Sequence, residues 1–181
     1  MKKSIQLLII TVICVGLSTL LPAQEKSGMS LLVAVSRDAR PKLKNVQLIA
    51  IFLNGNDTLL TRIVEDALAI HLTNAGVPVI NREKLEKSVG EQITKIRRED
   101  ESGAVNALAI GKAVNADFIL TGTTIVDFAQ DKPLLVKVAS FQLVDVAGEK
   151  TVIAFLSEPE KGKSFSEISR EFVDMLQQNR K

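Results

Sequence analysis

The chain has 181 residues, with 23 Lys and Arg against 21 Asp and Glu, one His, and no Trp or Tyr. Lys2 and Lys3 account for the positive excess, so residues 24–181 carry no formal net charge. This composition lacks the basic excess and the stacking aromatics of a nucleic-acid-binding protein, and we expect no nucleic-acid partner.

Residues 1–23 predict a secretory signal. Two lysines precede an uncharged, mostly apolar run over residues 5–21, and Pro22-Ala23 offers a small residue for cleavage. We expect cleavage after Ala23 and a periplasmic location. A retained anchor is an alternative, because the run approaches the ~20 residues that span a bilayer. Peripheral association with the outer membrane is a further alternative.

Cys14 is the only cysteine, and it lies inside the apolar run. Ile13 precedes it where a lipoprotein signal has a small residue, so a lipid anchor is the weaker alternative. Removal of the signal leaves no cysteine, which excludes disulfides, thiol catalysis and cysteine-metal sites from the exported chain. An exported chain without disulfides fits a bacterial periplasm.

The exported part is long enough for one domain with a sizeable core. We divide it into an N-terminal arm, residues 24–45, and an α/β domain, residues 46–181. Within the arm, residues 31–35 predict a strand and residues 37–41 predict a loop. The sequence leaves open whether the arm packs on the domain.

The domain begins with a β-α-β unit. Residues 46–52 are nearly all apolar, which predicts a strand covered on both faces, and residues 54–57 predict a turn that supplies a helix N-cap. A short strand over residues 77–80 follows the helix, which Gly76 ends. The apolar stripe of this helix consists of Leu60, Ile63, Val64, Ala67, Leu68 and Leu72.

Two further helices are predicted between residues 81 and 113. The first starts at Asn81, and its apolar seam consists of Leu85, Val89, Ile93 and Ile96. It ends in the charged run 97–101, which indicates a solvated helix end or, alternatively, a docking patch. The second starts at Ser102 and is predicted to face inward with Val105, Leu108 and Ala109.

Three strands follow. Residues 118–126 are rich in β-branched side chains, and Gly122 among them indicates a bulge or a close backbone approach. Residues 134–146 and 150–157 predict a hairpin in which Gly148 supplies backbone freedom. Apolar residues on both faces of 134–141 fit a central strand of a soluble sheet better than a membrane strand, which alternates.

The last helix begins with a capping box of Ser164 and Glu167. Its predicted core face consists of Phe165, Ile168, Phe172, Met175 and Leu176. The domain order is therefore β-α-β-α-α-β-β-β-α, which predicts a single α/β (α+β) domain with a mixed sheet, parallel at its start and antiparallel at its finish.

No catalytic, cofactor-binding or metal-binding residue is predicted. His71 is the only histidine, and near a helix C-terminus it is expected to be structural. Gly111-Lys112 and residues 148–151 lack the glycine spacing of a phosphate-binding loop. We therefore expect a chain that is not an enzyme, with no cofactor and no small-molecule substrate.

Paired carboxylates do not change this expectation. Asp127 with Asp131 and Glu158 with Glu160 border predicted turns. General acid–base work needs one carboxyl of a pair to be buried and its pKa shifted, which loop positions disfavour.

Several motifs in order resemble one protein family. They are residues 48–52 with Asn54-Gly55, Ala75-Gly76, residues 79–85, Glu91-Gln92, residues 109–113, residues 115–122, and residues 141–146 with Gly148-Glu149. Together they resemble the domain shared by the curli secretion channel CsgG and the penicillin-binding-protein activator LpoB. The resemblance implies an α/β domain similar to anticodon-binding domains, used in the envelope for protein–protein contact and not for catalysis.

The chain departs from that family in lacking its lipidated cysteine, and it is short for added membrane hairpins. The resulting hypothesis is a periplasmic, CsgG/LpoB-like module that binds an envelope protein or itself, through the charged helix 82–101 or a sheet edge. The alternative is an accessory or ring subunit of a curli-like secretion channel at the outer membrane.

Overall fold

A computed structural model describes residues 29–55, 57–80, 84–91, 103–127 and 134–181. The predicted signal, residues 1–23, lies outside the described residues. The elements in chain order are β1 (Met29–Val35), α1 (Ala39–Lys44), β2 (Ile49–Gly55), α2 (Thr58–Asn74), β3 (Val79–Ile80), α3 (84–91), α4 (Gly103–Ala113), β4 (Phe118–Asp127), β5 (Leu135–Asp145), β6 (Lys150–Pro159) and α5 (Phe165–Arg180).

The strands of the described part form one six-stranded sheet in the order β1-β6-β5-β4-β2-β3. β2 runs parallel to both β3 and β4, whereas β4, β5, β6 and β1 pair antiparallel in succession. From β2 onward the element order is the predicted one, so the mixed α/β fold predicted from the sequence is confirmed.

Helices pack on both faces of the sheet, because successive residues of a strand point to opposite sides. Ile49 and Ile51 of β2 join the larger core, to which α1, α2 and α5 contribute. Ala50 and Phe52 join the second core, beneath α3 and α4. The larger core contains Phe141, Phe155 and Phe172, whose ring centroids lie 5.6 to 5.7 Å apart.

The second helical layer is narrower than the first. Its core takes strand residues from β2, β3, β4 and the end of β5, and none from β6 or β1 among the described residues. On that face Leu32 of β1 lies beside Leu156 of β6, and Leu32 is exposed. The β1 side of this sheet face is therefore open.

Local signals in the sequence act as predicted. The carboxylate of Asp57 accepts from the backbone N–H of Leu60 at 2.9 Å and so caps α2. Ser164 and Glu167 form the capping box of α5. Gly122 approaches β5 so closely that a Cβ there would lie 1.9 Å from the carbonyl oxygen of Ser140.

The structure also corrects several predictions. Residues 39–44 are helical, so the loop predicted over 37–41 is wrong in its second half, because Ala39 and Leu43 bury against the larger core. β1 pairs with β6 along its whole length, so this segment packs on the domain. In the β5–β6 turn Glu149, and not Gly148, has a positive φ of 52°.

Two helix faces differ in single residues from the predicted ones. Ile63 is exposed and Leu60, Val64, Leu68 and Leu72 form the buried stripe of α2. On α4 Leu108 packs against the second core, as predicted, whereas Ala109 is exposed and the side chain of Val105 lies outside the described part of the chain. Ala107 and Ile110 are buried on this face. Within the described residues, no helix combines the length and the apolar character needed to cross a bilayer.

Candidate interaction surfaces

The buried and half-buried carboxylates serve the fold. Asp117, in the turn before β4, accepts from the backbone N–H groups of Gln47 at 2.6 Å and Leu48 at 3.1 Å, which fixes the start of β2. Glu65 of α2 accepts from the backbone N–H of Leu53 at 2.8 Å, at the other end of β2. Both carboxylates satisfy backbone donors that the strands leave unpaired.

Asp145 forms an ion pair with Lys42 that ties the β5–β6 turn to α1. Burial acts to raise the pKa of Asp145, but the hydrogen bonds from Lys42 and from the backbone N–H groups of Gly148 and Ala147 outweigh it. The pKa of Asp145 is therefore lowered from its ordinary value of 3.8. A carboxyl held ionised in this way stabilises the folded chain and is a poor proton donor.

His71 lies on α2 where that helix meets α5. Its Nε2 is 3.0 Å from the hydroxyl oxygen of Ser166, at the start of α5. Ser166 is exposed, and a lone hydroxyl–imidazole pair needs a third group that orients the base before it can act as a nucleophile. The pair links the ends of two packed helices, which fits the structural role predicted for His71.

The other candidate motifs serve helix packing and surface ion pairs. Gly111-Lys112 lies inside α4, where a Cβ at Gly111 would be 2.7 Å from Val146, so this glycine permits close packing. Lys112 pairs with Glu149 at 2.5 Å, and Lys137 lies 3.7 Å from Asp127.

The remaining predicted carboxylate pairs do not form a candidate site among the described residues. Asp131 lies outside the described residues, and Glu158 and Glu160 are exposed at the end of β6. Among the described residues no three His, Cys, Asp or Glu side chains are grouped so as to hold a metal ion.

The charged helix predicted over residues 82–101 is described only at 84–91. Leu85 and Val89 are buried there, as predicted. Glu86 pairs with Arg62 of α2 at 3.4 Å. Ile93, Ile96 and the charged run 97–101 lie outside the described residues, so the docking patch stays a prediction.

Exposed apolar side chains point to two surfaces instead. The first, here called the β1 edge, is the free side of β1, with Leu31, Leu32 and Val33 exposed by 43%, 63% and 41%. The second, the α2 stripe, consists of Leu59, Ile63 and Ile70, exposed by 68%, 38% and 60%. Groups of large exposed apolar side chains mark sites of protein–protein contact more often than single exposed residues do.

Within the described part of the chain, the β1 edge lacks the features that protect an edge strand. Among the described residues β1 has a neighbouring strand on one side only, β6. Natural edge strands are kept from pairing by lysines, prolines, bulges or short length. β1 has seven residues, contains no charge and no proline, and keeps continuous register with β6.

The α2 stripe lies on the outer side of its helix, opposite the buried stripe. Leu59, Ile63 and Ile70 are spaced by four and seven residues, so they share one helix face. A shallow hollow of 280 Å³ adjoins the stripe and is lined by Ala69, Ile70, Thr73, Asn74 and Val79. It gives this face a concave apolar element beside the β3 side of the sheet.

The sequence predicts neither surface specifically. It predicts binding at a sheet edge without indicating which strand forms that edge. The uncharged run 31–35, apolar at every position, was the available signal for β1. For α2 the signal was Leu59 and Ile70, two large apolar residues that lie outside the predicted apolar stripe.

The arrangement of strands and helices is one already seen in solved structures. A PelC dodecamer from Paraburkholderia phytofirmans matches with a TM-score of 0.50 and 12% identity, over 84% of this chain and 96% of that chain. The fold resembles that of PelC. At this identity the match to PelC shows a common fold and nothing more.

Other solved structures match with lower scores. The LpoB C-terminal domain from Salmonella enterica has a TM-score of 0.40 and 13% identity, over 62% of this chain and 82% of that chain. The lipoprotein GNA1162 from Neisseria meningitidis has a TM-score of 0.40 and 15% identity, over 72% and 94%. No sequence-family model and no curated protein sequence matches this chain.

Proposed function

We propose that this chain is a non-catalytic protein-binding module of the bacterial cell envelope. The observation that carries the proposal is the concentration of exposed apolar side chains at the β1 edge and the α2 stripe. Burying such surfaces against a partner is favourable because it removes apolar area from water. The partner is another envelope protein or a second copy of the chain.

The use of polar groups within the fold supports a binding role. Asp117 and Glu65 accept backbone N–H groups, Asp145 pairs with Lys42, and His71 bonds to Ser166. These groups hold strands and helices in place. A catalytic role would instead need a carboxyl or imidazole poised beside a pocket with a shifted proton affinity.

The proposed envelope location rests on the sequence. Residues 1–23 have the charged start, apolar run and small residue of a secretory signal. We propose that they direct export to the periplasm and are then removed. Attachment at the outer membrane is the variant of this proposal in which the exported chain stays with the membrane fraction.

In-cell photo-cross-linking tests the proposal. A photo-reactive amino acid is placed at Leu59 in the α2 stripe or at Leu32 in the β1 edge, with exposed Asp174 of α5 as the matched control position. We expect discrete adducts from Leu59 or Leu32 and none from Asp174, recovered from the periplasmic or outer-membrane fraction. Absence of adducts from both surface positions would contradict the proposal.

A second candidate is a subunit of a homo-oligomeric ring, with a curli-like secretion channel as its setting. The likeness to a PelC structure crystallised as a dodecamer supports this candidate, because the match spans nearly all of PelC. A ring needs a heterologous contact, in which one surface meets a different surface of the next copy. Native mass spectrometry tests it: a single closed assembly of many copies supports the ring, and a monomer or dimer contradicts it.

A further inference from the structure

We propose that the β1 edge pairs with the β1 edge of a second copy, antiparallel, with Leu32 opposite Leu32 of that copy. The two sheets then become one continuous sheet across a two-fold axis. This inference rests on the proposed function, because it names the partner at one of its two surfaces.

The direction of the backbone groups is the first step. The backbone N–H of Ser36 donates to the carbonyl of Val152 on β6 at 2.9 Å. In an antiparallel pair the hydrogen-bonding groups of alternate residues point to opposite sides of the strand. Leu31, Val33 and Val35 therefore direct their N–H and C=O groups to the free side of β1. A second strand on that side would satisfy all of them.

The exposed side chains of β1 determine the chemical character that a second strand must have. Leu32 projects from the open sheet face beside Leu156, and Val33 projects from the opposite face beside Phe155. Both are exposed at the edge. A matching strand must therefore be uncharged and apolar on both faces, since an unpaired charge beside these residues would be desolvated at a cost.

Within the described residues β1 itself meets these conditions. The other edge strand, β3, has two residues, and Arg62 and Glu86 form an ion pair between helices on its two sides. An edge strand of two residues offers little to an incoming strand. Two copies of β1, in contrast, are the same length and carry apolar residues at every position from 31 to 35.

Complete overlap sets the register. When all seven residues of β1 pair with the seven of the second copy, the central residue, Leu32, lies opposite itself. Leu31 then lies opposite Val33 of the second copy, and their outward backbone groups bond to each other. The Leu32 pair is of the non-hydrogen-bonded kind, in which Cα atoms are about 4.5 Å apart. Leu32, which is 63% exposed in the single copy, thereby becomes the centre of the contact.

Disulfide trapping tests this register in the full-length chain carrying Cys14→Ala, which leaves no other cysteine. Leu32→Cys places two thiols within the Cα separation that a disulfide spans. Ala34→Cys, on the same face of the same strand, is the matched control, because its counterparts would be about 13 Å apart along the strands. Both variants are oxidised at equal concentration.

We expect about tenfold more disulfide-linked dimer from Leu32→Cys than from Ala34→Cys. Equal amounts from the two variants, or no dimer from Leu32→Cys, would overturn the proposal. The comparison does not depend on how stable either variant is, provided that both retain the far-ultraviolet circular dichroism of the parent chain.

A charge at the edge gives an independent readout. Val33→Lys leaves an exposed position exposed in the single copy but desolvates a charge in the pair. We expect sedimentation velocity to show a concentration-dependent dimer for the parent chain and for Leu59→Lys, and a monomer for Val33→Lys. A Val33→Lys chain that dimerises like the parent would contradict β1 pairing.

The outcome also separates this inference from the proposed function. If β1 pairing fails while the photo-reactive residue at Leu59 captures an envelope protein, the binding role stands and the second copy is the wrong partner. If neither surface is ever occupied, both proposals are wrong.

Discussion

The two edges of the sheet differ in almost every respect that controls strand pairing. β3 has two residues, and Arg62 of α2 pairs with Glu86 of α3, a helix on the opposite face of the sheet. β1 has seven uncharged residues, and the described residues place no strand on its free side. The β3 edge is too short to offer much to another strand, whereas the β1 edge has the length and the uncharged side chains that allow pairing.

We expect the β3 side to contribute to the free energy of unfolding and the β1 edge to contribute to association between chains. The β3 side is held by contacts within the chain, so substitutions there are expected to change the free energy of unfolding. Among the described residues β1 pairs with β6 alone, and its side chains Leu31, Leu32 and Val33 are exposed. Substitutions at that edge are expected to change association and to leave unfolding nearly unchanged.

The largest expected effect comes from removing the core behind the β1 side. Phe172→Ala deletes the α5 ring that packs edge-on against both Phe141 and Phe155. We expect a loss of about 3–5 kcal/mol in the free energy of unfolding, measured by urea denaturation. Leu59→Ala, at an exposed apolar position, is the control. Surface substitutions typically cost less than about 1 kcal/mol. A loss that small for Phe172→Ala would contradict a stabilising role of the three phenylalanines.

A smaller loss is expected where β2 meets β4. Asp117→Ala removes the acceptor of the Gln47 and Leu48 N–H groups, which lie next to β2. We expect a loss of about 1–3 kcal/mol by urea denaturation, because two backbone donors lose their partner. Asp174→Ala, at an exposed site on α5, should change stability by less than about 0.5 kcal/mol. Equal losses from the two variants would contradict a stabilising role of the Asp117 carboxylate.

The pH dependence of unfolding distinguishes the β5–β6 turn from both edges. The folded-state pKa of Asp145 lies below its ordinary value, so its contribution is present above that ordinary value and is lost as the pH falls through the folded pKa. We expect the urea midpoint to fall between about pH 5 and pH 2, and to fall less in Lys42→Met, which lacks the ion pair. Identical pH profiles for parent and variant would show that the pair does not contribute.

The smallest expected change in unfolding belongs to the β1 edge. Val33→Lys should shift the free energy of unfolding of the dilute, monomeric chain by less than about 0.5 kcal/mol. The same substitution should abolish dimerisation. A large loss of stability at low protein concentration would show that Val33 belongs to the core and not to an interface.

Much of the fold was predictable because its signals are local. Asp57, Gly76 and the Ser164–Glu167 capping box act within a few residues of their own position, and each was found at its predicted place. Gly122 was recognised for the same reason, since an isolated glycine in a strand indicates close backbone approach.

The β1 edge was not predictable in the same way. Residues 31–35 suggest a strand, but their partner is β6, more than 100 residues further along the chain. Residues 31–35 are apolar at every position, which is the pattern expected of a central strand, yet the sheet order places β1 at an edge. Likewise the exposure of Ile63 depends on which flank of α2 meets α5, because apolar spacing alone leaves that choice open.

Hydrogen–deuterium exchange at β1, followed over a range of protein concentrations, tests the central claim most directly. We expect the amides of Leu31, Val33 and Val35 to exchange fast in dilute solution and to become protected as the protein concentration rises, while the core strands β4 and β5 stay protected throughout. Val33→Lys should leave positions 31 and 35 unprotected at every concentration. Fast exchange of these β1 amides in the parent chain at all concentrations would contradict pairing between two β1 edges.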